Sequence, residues 1–236
     1  MGTPTRFTNG VTTVPKTNPL GMFGLPDPTE WHVFFDDFDT YTAAAWTVTA
    51  VGAGTQALTD INGGALLLTN AAADNDSIEL QKLGESFLIT SGKRTFFKAR
   101  FKVSDATQSD FLIGLAVTDT TLQGAVSGAG VTDGIFFNKD DGDALLDIQC
   151  QLNATTGQLR AAGVHTVVSD TFLTVAWAYD GKDEIKYYVD DVHKGSLAAT
   201  SSYRPDTELT VSFAIMNGEG VAKTMTLDYI LAAQER

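Results

Sequence analysis

The chain has 236 residues, 43% apolar and 19% charged, which is enough apolar material for one sizeable core and too much for a disordered chain. Its 29 acidic against 16 basic residues leave a formal charge of −13, a sign that repels phosphate backbones and excludes nucleic acid as an expected partner. No run approaches the ~18 consecutive apolar residues of a membrane helix, so no membrane partner is expected either.

The acid excess is mostly Asp, 22 against 7 Glu. Asp bonds to nearby backbone amides and favours turns, whereas Glu favours helix interiors, so the bias points to many turns and few helices. The start, Met1-Gly2-Thr3-Pro4-Thr5-Arg6, has no basic region followed by an apolar core, and a soluble product made in the cytoplasm is expected.

In chain order, Pro4, Pro15, Pro19, Pro26 and Pro28 fall within the first 28 residues. Proline removes a backbone donor and blocks sheet interiors, so residues 1–30 read as an extended arm. The arm carries Phe7, Val11, Leu20, Phe23 and Leu25 without a regular period. Together with Trp31, these are the candidate partner-binding residues, docking on the chain's own body or on a neighbour.

From Trp31 onward the pattern is that of strands. Val33 to Phe38, Trp46 to Val51 and Ala65 to Thr69 are short strand-like runs. Thr95 to Val103 alternates cleanly, with Phe97, Ala99, Phe101 and Val103 on one side and Lys98, Arg100 and Lys102 on the other. Phe111 to Val117, Gly134 to Phe137, Leu145 to Leu152 and Leu159 to Val168 follow. Thr171 to Tyr179 and Glu184 to Asp190 flank Asp180-Gly181-Lys182-Asp183, a strong hairpin signal. Leu209 to Ile215 and Met225 to Leu231 complete about twelve strands. Such spacing predicts an all-β, two-sheet antiparallel jelly-roll sandwich over residues 31–236.

No catalytic constellation stands out, and the sequence reads as a protein that is not an enzyme. His32, His165 and His193 lie in unrelated contexts, and no Gly-x-Ser-x-Gly elbow is present. Cys150 alternates with the apolar side of its run and reads as a buried small hydrophobe. The best metal candidate is the turn Asn138-Lys139-Asp140-Asp141-Gly142-Asp143, where Asn138, Asp140 and Asp143 would supply oxygens to Ca²⁺, with Asp74-Asn75-Asp76 and Asp180-Gly181-Lys182-Asp183 as weaker versions. Apart from that calcium, no cofactor is expected. Trp46 and Trp177 read as core residues.

Two resemblances add to this. Phe34-Phe35-Asp36-Asp37-Phe38 with Trp46, Gly64 to Thr69, Phe97 to Val103, and Ala178-Tyr179-Asp180-Gly181 before Ile185 to Asp190 resemble the concanavalin A-like lectin/glucanase (LamG-like) sandwich. Glucanases of that kind carry a Glu-x-Asp-x-Glu pattern that is absent here. The arm from Thr5 to Val11, Leu25-Pro26-Asp27-Pro28, Ser212 to Ile215 and Met225 to Ile230 look like virion proteins of tailed bacteriophages. That resemblance implies an outer capsid decoration protein in the virion, bound to the major capsid protein or other virion proteins and self-associating. The alternative is a lectin-like module that binds glycans.

Overall fold

The structure, a computed structural model, describes residues 29–124, 128–154 and 159–236. Sixteen strands are found among them. The first half of the chain supplies β1 (Trp31–Asp36), β2 (Trp46–Val51), β3 (Thr55–Leu58), β4 (Leu66–Thr69), β5 (Ser77–Lys82), β6 (Phe87–Leu88), β7 (Thr95–Val103) and β8 (Ser109–Ala116). The second half supplies β9 (Gly134–Lys139), β10 (Leu145–Gln151), β11 (Leu159–Thr166), β12 (Leu173–Tyr179), β13 (Glu184–Val189), β14 (Val192–Ala198), β15 (Glu208–Asn217) and β16 (Thr224–Glu235). A single 3-10 turn, Ala43–Ala45, is the one helical element among the described residues.

One sheet runs β14-β13-β12-β7-β16-β4-β3, with β1 also paired to β16. The other runs β11-β10-β9-β8-β15-β5-β2, with β6 also paired to β15. Every pairing is antiparallel, which gives the expected two-sheet sandwich.

Alternation explains how the sheets meet. Along β7, Phe97, Ala99, Phe101 and Val103 are buried while Phe96, Lys98, Arg100 and Lys102 are half-buried. Opposite them, Phe111, Ile113 and Leu115 of β8 and Val211, Phe213 and Ile215 of β15 fill the same core. Ring pairs lock the two layers: Phe101 meets Phe111 edge-on at 5.2 Å, and Trp46 meets Phe213 at 5.2 Å. Trp46 and Trp177 are both buried. So is Cys150, whose thiol is pushed up to about 12 by burial.

The outward side of the second sheet departs from a simple sandwich. There Leu112, Ala116, Phe136 and Ala214 are buried together with Leu122 and Val131, which belong to the β8–β9 connection. That connection lies across the sheet it leaves. At Gly130 a Cβ would fall 1.6 Å from the Thr121 carbonyl oxygen, so the two limbs pass in contact where only glycine fits. No helix among the described residues is long and apolar enough to cross a membrane.

Candidate functional site

An aromatic-floored cleft of about 230 Å³ lies between β1 and the turn joining β5 to β6. Its position follows from pairing. Strand β1 adds to β16 with His32 opposite Gln234 and Phe34 opposite Ala232, so both side chains face inward at the rim of the core. From the other sheet, Lys82 ends β5, and Leu83 and Ser86 are tied by backbone bonds to Ala45 and Leu209. Gly84 lies between them with φ +85°, a conformation that favours glycine in this turn.

Aromatic rings form the floor of the cleft. Phe34 meets Trp46 edge-on at 5.9 Å, and the His32 ring lies 4.9 Å from Phe87. Polar groups form the rim. The Lys82 Nζ sits 5.7 Å from the centre of the Phe34 ring, and His32 Nε2 is 3.1 Å from the Ser86 hydroxyl. Glu85 accepts the backbone N–H of Thr118 at 2.5 Å, which fixes one carboxylate oxygen. Burial, assisted by the positive charge of Arg236, lowers the His32 pKa, so the imidazole is neutral at physiological pH. The arrangement offers a flat apolar surface ringed by hydroxyl, imidazole, carboxylate and ammonium groups.

The covered face of the second sheet carries a second polar cluster. Glu79 accepts the backbone N–H groups of Leu122 and Gln123 at 2.9 and 3.0 Å. Gln81 donates to the Val117 carbonyl and the Ser212 hydroxyl and accepts from Asp119 N. Burial raises the Glu79 pKa, and the two amide bonds oppose that shift. These groups hold the β8–β9 connection down, so their bonding capacity is directed at the chain itself.

Asp140 and Asp143 line one small opening with Asp147 and Arg160, and Asn138 is fully buried. Asn138 Oδ1 accepts from Gln149 Nε2 at 2.9 Å, and Asp143 Oδ1 accepts from Leu145 N at 2.7 Å. The carbonyls of Asp140 and Asp143 accept from Lys139 Nζ at 2.7 and 2.9 Å. The lysine ammonium thus donates to carbonyls of the turn. Among the described residues no group of three His, Cys, Asp or Glu side chains could hold a metal.

Trp31 opens β1, stacks on Phe96 at 5.3 Å and lies under the Arg94 guanidinium at 5.4 Å, so its ring packs on its own sheet. Phe7, Val11, Leu20, Phe23 and Leu25 lie outside the described residues, as does the arm apart from Thr29 and Glu30. The sequence reading did not foresee the cleft, having set His32 only among three histidines in unrelated contexts. Sequence offers little signal for it, because its two walls are about 50 residues apart along the chain.

No protein-family model matches the chain, and no curated protein matches it. Solved structures do. An endo-1,3-β-glucanase from Streptomyces sioyaensis superposes with a TM-score of 0.60 at 16% identity, over 90% of this chain and 99% of that one. An endo-β-1,4-glucuronan lyase from the fungus Trichoderma reesei gives 0.58 at 12% identity, over 84% and 94%. Peanut lectin gives 0.57 at 14% identity, over 87% and 97%. The fold is the concanavalin A-like jelly roll.

That finding corrects the expectation that the chain is not an enzyme, since the fold is shared by a lyase and a glucanase as well as a lectin. The missing Glu-x-Asp-x-Glu pattern bears on one hydrolytic mechanism and leaves other chemistries on this scaffold open. Nothing in these similarities points to a phage virion or to a capsid protein as partner.

Proposed function

We propose that the chain binds carbohydrate, with the cleft between β1 and the β5–β6 turn as its glycan site. One observation carries the reading: the Phe34 ring shares a small opening with Lys82, Glu85, Ser86 and His32. A pyranose has an apolar face of C–H groups and a rim of hydroxyls. It would lay that face on the ring and direct its hydroxyls to the surrounding polar groups. The volume of about 230 Å³ lies below the ~300–1,000 Å³ of clefts for drug-sized ligands, which suits one sugar residue of a longer chain. The lectin among the structures of this fold supports the same reading.

Glycan-array screening followed by calorimetry tests it. Binding should fall at least tenfold in Phe34→Ala and in Glu85→Gln, with circular dichroism verifying that each variant is folded. Absence of any bound glycan, or binding unchanged in both variants, would overturn the assignment.

A further inference from the structure

We infer that the sugar taken by this cleft carries a carboxylate, and that the Lys82 ammonium is its counter-ion. The inference rests on the glycan reading and names the ligand class. Its starting point is the distribution of positive charge in a chain whose formal charge is −13. On the outward side of the first sheet the cations are matched to acids: Lys98 to Asp191 at 2.6 Å, Lys102 to Asp170 at 3.6 Å, Arg100 to Asp228 and Arg94 to Glu235. Arg160, Lys186, Arg204 and Lys223 are matched likewise.

Lys82, like Lys93, Lys139, Lys182 and Lys194, forms no ion pair among the described residues, and of these five it is the one that lines this cleft. The nearest acid in charge contact, Asp36, feels the Lys82 ammonium without forming an ion pair with it. Asp36 accepts the Phe38 amide at 2.9 Å, and Glu85 accepts the Thr118 amide at 2.5 Å. The ammonium therefore stands over the ring face with its charge available to a ligand.

A carboxylate fits the position of the ammonium, while Glu85 on the same rim accepts ligand hydroxyls. A single compact cation matches one monoanion, and lysine offers three rotatable donors to it. The ring below Lys82 demands that the same ligand present an apolar face. A uronic acid joins both properties, because its carboxylate projects from the edge of the ring whose C–H face stacks. Neutral His32 adds a hydrogen bond without a second charge, which disfavours dianionic groups.

The probes are oligosaccharides of glucuronic, galacturonic and mannuronic acid, each paired with its methyl ester and measured by calorimetry. The ester keeps the ring and its hydroxyls and removes only the charge. At least one acid form should bind tenfold or more tightly than its ester, and its affinity should fall as salt is raised. Lys82→Met, which keeps the apolar stem, should lose that advantage, and Lys82→Arg should retain most of it. Equal binding of acid and ester, or acid binding unchanged in Lys82→Met, would overturn the inference. Binding of neutral glycans alone would overturn it while leaving the glycan site standing. Binding of neither class would remove both.

Discussion

Replacing Asp110 by asparagine should make stability less sensitive to pH between about 4 and about 6. Asp110 is 3% exposed at the start of β8, and its carboxylate accepts the backbone N–H of Asp141. Burial raises its pKa from 3.8 to about 6; the Asp141 amide and Lys139 oppose the shift, and the charges of Asp141 and Asp140 add to it. A raised folded-state pKa means that the folded protein holds this proton more tightly than the unfolded chain does. The stabilising contribution is therefore complete below pH 3.8 and is lost as the pH climbs through about 6. Roughly two pH units at ~1.4 kcal/mol each amount to about 3 kcal/mol, or roughly 6–12 °C in Tm for a domain of this size. Asparagine keeps an amide oxygen for Asp141 and cannot ionise. Urea unfolding followed from about pH 3.5 to about pH 7.5 should show wild type losing about 3 kcal/mol more than the variant across that range. Parallel pH profiles for the two proteins would refute the reasoning.

Two further outcomes follow from the buried polar groups. Glu79→Ala leaves the amides of Leu122 and Gln123 without acceptors, at ~1–3 kcal/mol each, so their hydrogen exchange should quicken at least tenfold. Unchanged protection there would show that Glu79 does not hold the β8–β9 connection. Lys139→Met takes the ammonium from the carbonyls of Asp140 and Asp143 and should cost ~2–5 kcal/mol in thermal or urea unfolding. A variant as stable as wild type would deny Lys139 its role in satisfying that loop.

Sequence revealed both half-wet strands such as β7 and apolar strands buried on both faces, such as β8, β9 and β15. β2 and β7 run over the expected residues, and in β7 the alternation is plain. β5 was missed because Ser77, Glu79 and Gln81 put polar residues on a face that is buried, and nothing local announces that a distant connection covers it. β14 was missed because its hairpin turns on Asp190-Asp191, both at positive φ (49° and 60°), where Asn-Gly or Asp-Gly is the usual signal. The Asn138–Asp143 turn illustrates another limit. Its acids and glycine were legible, but the direction taken by the Lys139 side chain was not. The cleft required β1 to be placed beside β16, a pairing that only the closed sandwich reveals.

The place of β16 also sets the order in which the molecule can assemble. Strands β1, β4 and β7 all take it as neighbour, and Trp31 finds its partner Glu235 about 200 residues along the chain. While the chain emerges from the ribosome, hairpins such as β8–β9 and β9–β10 can close early, because their partners are near in sequence. Each sheet, however, waits for a late strand, the first for β16 beside β7 and the second for β15 beside β5 and β8, and until then those edges are templates for wrong neighbours on other chains. In that interval the acidity of the chain has work of its own, since like charge keeps unfinished copies apart until the strand that completes the sheet arrives.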